Sequence, residues 1–159
     1  MNLSTLFRLE ENLNLDKKTL VFLRWLAIFG QLISVNLVYF ILDWSFPIFE
    51  CHLIILFGLL TNVFLQFKIK DTQLKDFYST SFLIYDIIQL SLLLYLTGGI
   101  FNPFSILIIV PTIVSSTFLS MGTTIVLGLL TILFLFILTI FHYPLPGIHD
   151  HSITFPKLY

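Results

Sequence analysis

Long uninterrupted runs of apolar residues constrain the fold of this chain more than any other feature. Five runs, at residues 20–42, 48–67, 79–96, 103–119 and 123–141, each contain at most one charged side chain. A helix that crosses the roughly 30 Å hydrocarbon core of a bilayer needs about 20 such residues, so each run qualifies or nearly qualifies. We therefore expect an all-α integral membrane fold, a polytopic helical bundle with five predicted transmembrane helices.

Composition agrees with this fold and excludes several classes of function. Of the 159 residues, 57% are hydrophobic and 11% are charged, against about 25% charged in a typical soluble domain. The net charge of −1 argues against nucleic acid as a partner. The single cysteine, Cys51, excludes an intrachain disulfide framework. We expect the lipid bilayer to be the main surrounding of this chain.

The distribution of basic residues predicts the orientation of the bundle. Seven of the eight lie near the start of the first run or between the second and third runs: Arg8, Lys17, Lys18, Arg24, Lys68, Lys70 and Lys75. Basic residues concentrate on the cytoplasmic side. Residues 1–19 are then a cytoplasmic amino-terminal segment, residues 20–141 are the transmembrane bundle, and the turn at residue 98 lies outside. Residues 142–159 then form an outer-side loop after the fifth run, and we expect the chain to be unfinished.

Two polar side chains on the third run, Asp86 and Gln89, are candidates for a coupling role or for polar contacts within the bundle. Asp86 is the only acid well inside a run, and Gln89 follows one turn later. An ionisable group at this depth costs a few kcal/mol, so it should face the bundle and have a partner. A structural interpretation is an interhelical hydrogen bond to Asn62 or Asn36. A functional interpretation is a proton-sensitive or ligand-coupled switch.

The fourth run contains a proline with hydroxyl side chains after it. Pro111 is expected to remove a backbone hydrogen bond and to kink this helix. Thr112, Ser115, Ser116 and Thr117 follow, and hydroxyls of this kind satisfy freed carbonyls or line a close helix contact. We interpret this segment as packing.

The sequence predicts no catalytic residue and no metal site. It contains no nucleophile–base arrangement and no phosphate-binding loop. The histidines, His52, His142, His149 and His151, lie near or beyond the outer ends of the runs without the spacing of metal ligands. An active site built from this chain alone is not expected.

The turn between the third and fourth runs, Gly-Gly-Ile-Phe-Asn-Pro-Phe at residues 98–104, has a purely architectural interpretation. Gly98 or Gly99 can adopt the left-handed conformation that ends a helix. Asn102 can cap the next helix, with Pro103 at its first position. The turn would then be only a helix stop followed by a helix start.

The same turn also suits a binding site. A capped helix start offers unpaired backbone N–H groups, and the rings of Phe101 and Phe104 supply flat apolar faces. A neutral ring with carbonyl oxygens, such as a quinone head group, matches this combination. Asp86 lies roughly 18 Å of helix from Gly98, so we expect it to contribute to coupling or bundle stability rather than to contact a quinone at the turn.

Residues 86–97, Asp-Ile-Ile-Gln-Leu-Ser-Leu-Leu-Leu-Tyr-Leu-Thr, followed by the turn, resemble the membrane sensor of the RegB/PrrB (ActS-like) redox-sensing histidine kinases. In that family a Gly-Gly-x-x-Asn-Pro-Phe motif is implicated in ubiquinone binding, and all five fixed letters match here. The early Leu23-Arg24-Trp25-Leu26-Ala27 and the later Pro111 are also similar. The resemblance implies that the quinone-binding residues are Gly98, Gly99, Phe101, Asn102, Pro103 and Phe104.

The resemblance also implies a larger protein. Members of the family have six spans, a dimerising phosphoacceptor helix, a redox-active cytoplasmic cysteine and an ATP-binding kinase domain. We would then expect a multi-pass, homodimeric protein of the bacterial inner membrane that senses ubiquinone or another quinone. It would autophosphorylate with ATP and pass the phosphoryl group to a response regulator through the missing kinase region. Cys51, inside a run near its outer end, does not match the cytoplasmic cysteine of the family.

A second interpretation belongs to another functional class. The chain would be a fragment of a small membrane transporter or scaffold protein, in which Asp86 and Gln89 line a polar path. The downstream reading frame separates the two interpretations. A sixth span followed by a histidine-bearing helix and ATP-binding motifs favours the kinase, whereas further spans with an internal repeat favour the transporter.

Overall fold

A computed structural model describes residues 15–41, 43–68, 74 and 76–143. Within these ranges the regular structure is helical and contains no β-strand. The α-helices are α1 Lys17–Phe40, α2 Ile48–Lys68, α3 Asp76–Leu96, α4 Val110–Phe118 and α5 Met121–Ile140. Two 3-10 helices, Gly99–Phe101 and Pro103–Ile109, lie between α3 and α4.

Four of these helices, α1, α2, α3 and α5, are long and apolar enough to cross a membrane. The second 3-10 helix continues directly into α4, and together they form a shorter apolar helix, Pro103–Phe118. Large apolar side chains such as Phe57, Phe64 and Phe136 are exposed on the outside of the bundle, as expected of a surface that contacts lipid. The predicted fold class, an all-α membrane bundle, is confirmed.

The helices lie close to the predicted runs and differ from them mainly at their ends. α1 begins at Lys17 and α3 at Asp76, because these polar residues extend each helix beyond its apolar part. Residues 1–14 and 144–159 lie outside the described residues, and so do most of the predicted cytoplasmic segment and of the predicted outer loop. Four of the seven clustered basic residues, Lys17, Lys18, Arg24 and Lys68, belong to described helices.

The helices pack as two groups that meet at the α2–α3 contact. α1 packs closely against α2, whereas α3, α4 and α5 pack against one another. Hydroxyl pairs join α4 to α5: Thr112 Oγ1 lies 3.0 Å from Thr131 Oγ1, and Ser115 Oγ lies 3.0 Å from Thr124 Oγ1. The interpretation of this segment as a helix contact is therefore correct for Thr112 and Ser115, because small hydroxyl residues allow close approach and hydrogen-bond across helices.

Pro111 does not kink the interior of an α-helix, contrary to expectation. It is the second residue of α4, where a missing N–H costs little. The preceding turn is 3-10, and the Val110 N–H donates to the Leu107 carbonyl, which would otherwise face the proline nitrogen. Pro111 therefore marks the junction between a 3-10 helix and an α-helix.

Candidate functional site

Two consecutive glycines end α3 in the left-handed region, as the sequence predicts. Gly98 has φ 106° and Gly99 has φ 61°. A side chain at Gly99 would bring its Cβ to 2.8 Å from the Leu138 carbonyl oxygen and into the His142 side chain. Glycine is thus required at this position both by backbone conformation and by the close approach of the end of α5.

Asn102 connects the two sides of the turn through its side chain. Its Oδ1 accepts a hydrogen bond from the Phe104 N–H at 2.8 Å. Its Nδ2 donates to the Thr97 carbonyl at 3.1 Å and to Thr97 Oγ1 at 2.8 Å. The predicted cap by Asn102, with Pro103 at the first helical position, is confirmed.

The same contacts correct the expectation of unpaired N–H groups at this helix start. The Phe104 N–H is bonded to Asn102 Oδ1, and the Ser105 N–H donates to the Asn102 carbonyl at 2.9 Å. Pro103 has no N–H to offer. The first backbone donors of the helix are therefore already used within the turn, because the cap and the 3-10 pattern both satisfy them.

The end of α5 closes against the turn. The Tyr143 N–H donates to the Tyr95 carbonyl at 2.9 Å, and the rings of these two tyrosines are 6.2 Å apart in an edge arrangement. The His142 imidazole packs edge-on against the Phe101 ring with a centroid distance of 5.5 Å. The turn is thus held from three sides, by α3, by α5 and by the 3-10 helix.

A cavity of about 660 Å³ separates α1 from α3 and from the turn. α1 forms one wall over most of its length, α3 forms the back, and the turn with the start of α4 forms the other wall. Four of the predicted quinone-binding residues line it: Phe101, Asn102, Pro103 and Phe104. Gly98 and Gly99 are not among the lining residues; they are buried in the turn behind the cavity.

Two polar pairs cross the cavity between α1 and α3. Asp86 Oδ1 lies 3.0 Å from Arg24 Nε, and Gln89 Nε2 donates to Gln31 Oε1 at 3.0 Å. All four residues line the cavity. Apart from the Thr97 hydroxyl and the Asn102 amide, most of the remaining lining is apolar. The cavity is therefore mainly apolar. Its polar groups lie at two places along α3, near Asp86 and Gln89 and again near Thr97 at the turn.

The partner of Asp86 is not one of the two asparagines considered from the sequence. Asn62 Nδ2 donates to the Val21 carbonyl at 3.3 Å, and Asn36 Nδ2 donates to the Leu32 carbonyl at 2.8 Å. Sequence reasoning assigned Arg24 to the basic flank of the first run and so missed it as a site residue. Its position inside the apolar run was an available signal, because an intramembrane charge needs a partner of opposite charge.

The Arg24 guanidinium is held by four neighbours. Besides the ion pair with Asp86, its Nη2 donates to Thr61 Oγ1 at 2.8 Å. Its Cζ lies 5.1 Å from the Phe82 ring centroid and 5.5 Å from that of Tyr85, within the range of cation–π attraction. Arg24 is 4% exposed. Its Nη1 is buried and has no hydrogen-bond partner among the described residues.

Gln89 occupies a space that a glycine opens on α2. A Cβ at Gly58 would lie 2.6 Å from Gln89 Oε1 and 2.8 Å from its Cδ, so a larger residue would displace the Gln89 amide.

Within the described residues, no group of three or more His, Cys, Asp or Glu side chains could hold a metal ion. Cys51 is buried on α2 as a free thiol and does not line the cavity.

Fold and site together define a multi-pass helical membrane domain with a partly polar cavity between its helices. The chain is 34% identical over 143 residues to the sensor histidine kinase RegB of Cereibacter sphaeroides. This similarity over most of the chain supports a RegB-like membrane sensor domain. The alignment covers 89% of this chain and 31% of that relative, so the chain spans about a third of the length of the kinase. No family model matches the chain, and no solved structure matches it.

Proposed function

We propose that this chain is the input domain of a sensor histidine kinase of the bacterial inner membrane, and that it senses the redox state of a membrane quinone. The similarity to RegB over most of the chain supports the assignment to a kinase. The observation that carries the quinone assignment is the cavity itself, which is lined at the turn by Phe101, Asn102, Pro103 and Phe104. Its apolar walls suit a neutral lipid-soluble ring better than a charged solute.

Redox sensing requires that oxidised and reduced ligand favour different states of the bundle. A ligand with equal affinity for both states shifts nothing, however tightly it binds. A quinone presents two carbonyl acceptors, whereas a quinol presents two hydroxyl groups that also donate. The polar pairs that line the cavity are groups that can distinguish the two forms, while the rings of Phe101 and Phe104 contact either form.

Within the parent protein, the response of this domain would control ATP-dependent autophosphorylation and phosphoryl transfer to a response regulator, in a homodimer whose amino termini are cytoplasmic. The competing assignment, a transporter or scaffold fragment with Asp86 and Gln89 on a polar path, rests on the same cavity. We favour the sensor because the relative with 34% identity is a sensor kinase.

The test is a titration with ubiquinone and with ubiquinol of the chain reconstituted in nanodiscs. Phe104→Ala should weaken binding of both forms by about tenfold, because it removes a ring contact and buried area from the cavity wall. Asn102→Ala should reduce the difference in affinity between ubiquinone and ubiquinol. The turn loses the side chain that joins Thr97 to the Phe104 N–H and that also lines the cavity. Phe136→Ala is the matched control, since Phe136 is exposed on α5 and does not line the cavity.

The control variant should bind both forms like the wild type. Absence of binding in a folded wild-type bundle would refute the quinone assignment, as would wild-type binding by both Phe104→Ala and Asn102→Ala. The turn would then be only a helix stop and start.

A further inference from the structure

The side chain of Arg24, which lines the cavity, carries a buried donor without a partner among the described residues. A guanidinium carries five N–H donors on three nitrogens. Nε lies against Asp86 and Nη2 against Thr61, whereas the buried Nη1 has no partner in the part of the chain that the structure describes. An unsatisfied buried donor on a charged group is costly, so an acceptor is expected to reach it. Arg24 lines the cavity, whereas Nη1 itself has less than 1 Å² of accessible surface. A small rotation of the guanidinium would bring this donor to an acceptor inside the cavity.

We infer that Arg24 is a ligand-binding residue, and that its Nη1 donates a hydrogen bond to a carbonyl oxygen of the molecule that occupies the cavity. This inference rests on the proposed function, because it takes that molecule to be the sensed quinone. It places one quinone carbonyl at the level of Arg24 and Asp86. The rest of the ligand would extend along the cavity and contact the turn.

The charges around Arg24 select the class of ligand. Asp86 is in contact with the guanidinium and neutralises it, so an anionic ligand would add an uncompensated charge in a low-dielectric site. A neutral carbonyl adds an acceptor without adding charge. The rings of Phe82 and Tyr85 and the Thr61 hydroxyl hold the guanidinium beside the cavity, so the rotation that exposes Nη1 is small and costs little conformational entropy.

The shape of the cavity is compatible with this placement. It follows α1 from Leu20 to Val38, which is roughly 27 Å of helix, so its volume of about 660 Å³ is spread along a narrow path. A ring with a long hydrocarbon chain matches such a path. The apolar side chains of Leu90, Leu93 and Leu94 lie along it between Arg24 and the turn.

A charge-neutral double variant tests the inference without leaving a buried charge unpaired. Arg24→Met/Asp86→Leu removes the donor and its counter-ion together, and such replacements of buried ion pairs are often neutral or stabilising. The chain in nanodiscs is titrated with a short-chain ubiquinone and with an analogue of the same ring and chain that lacks the two carbonyl oxygens. Ser79→Ala is the control, because it removes another buried, unpartnered polar atom of α3 that does not line the cavity.

The wild type and Ser79→Ala should prefer the quinone over the analogue by roughly tenfold or more, the effect of one charge-assisted hydrogen bond. The double variant should lose this preference while it still binds the analogue. A preference that persists in the folded double variant would overturn the role of Arg24 and leave the quinone assignment intact. Loss of a co-purified phospholipid from the double variant, with the quinone preference unchanged, would likewise overturn it. A wild type that binds neither compound would refute both proposals.

If the double variant does not fold, Asp86→Asn replaces it, read out by the carbonyl stretch of isotope-labelled quinone. This variant keeps the Arg24 donor but changes its charge balance, so the stretch frequency should shift relative to the wild type. An unchanged frequency would contradict a hydrogen bond from Arg24.

Discussion

The imidazole of His142 lies edge-on against the ring of Phe101, with the two ring centroids 5.5 Å apart. This contact joins a residue that follows α5 to the middle of the turn. Gly99 lies beside it, at a position where the Leu138 carbonyl and the His142 side chain leave no space for a Cβ. The turn and the end of α5 are therefore packed directly against each other.

Gly99→Ala should destabilise the bundle by at least about 1–2 kcal/mol, because a left-handed backbone is unfavourable for alanine. The added Cβ also approaches the Leu138 carbonyl and the His142 side chain. Chemical denaturation in detergent measures the free energy of unfolding. Gly122→Ala, where nothing lies within 4 Å of the added Cβ, should change it far less; equal effects of the two substitutions would contradict the observed packing.

Removal of one member of the Arg24–Asp86 pair should cost more than removal of both. Asp86→Leu leaves the guanidinium buried without its counter-ion and should cost about 3–5 kcal/mol, whereas Arg24→Met/Asp86→Leu should recover most of that loss. Unfolding of the three proteins in the same detergent measures the difference. Glu50→Leu removes an exposed carboxylate of α2 and should have little effect. A double variant as unstable as Asp86→Leu would mean that the pair contributes net stability.

The amide of Asn102 should contribute through both of its ends. Asn102→Ala loses the cap on the Phe104 N–H and both bonds to Thr97 and should cost about 1–2 kcal/mol. Asn102→Asp keeps the acceptor and loses the donors, so its cost should be intermediate. Thr97→Val removes one acceptor of the Asn102 amide and the bond that the Thr97 hydroxyl donates to the Leu93 carbonyl. It leaves the cap on the Phe104 N–H and should cost least. Thermal unfolding and hydrogen exchange at the Phe104 N–H measure this order; an Asp variant as unstable as the Ala variant would assign the stability to the donors alone.

The orientation of the bundle is testable with single cysteines in a Cys51→Ala background. A cysteine at Ser105 should react with a membrane-impermeant thiol reagent in intact cells, whereas a cysteine at Thr72 should react only in opened membranes. The reason is the concentration of basic residues on the predicted inner side. Reaction at Thr72 and none at Ser105 in intact cells, with both reactive in opened membranes, would reverse the orientation.

Local rules predicted those parts of the fold that depend on neighbouring residues. The helices follow from apolar runs, the end of α3 from Gly98 and Gly99, and the start of the next helix from Asn102 and Pro103. The depth of Asp86 in its helix likewise predicted that it needs a partner. Each of these depends on a rule that acts within a few residues of the chain.

Features that depend on tertiary packing were not predicted. The partner of Asp86 lies on α1, and its identity follows from how α1 is placed against α3. The cavity has the same origin, because α1 packs closely on α2 and leaves space beside the turn. The 3-10 conformation before Pro111 was missed because proline in an apolar run was interpreted only as a kink.

That 3-10 conformation changes how far the fourth apolar helix reaches. A 3-10 helix rises about 2.0 Å per residue against 1.5 Å in an α-helix. The helix Pro103–Phe118 therefore extends about 27 Å, instead of about 24 Å if it were α-helical throughout. Sixteen residues, too few for an ordinary spanning α-helix, thus approach the thickness of a bilayer core. The 3-10 first half thus brings this short helix closer in length to the longer helices that it packs against.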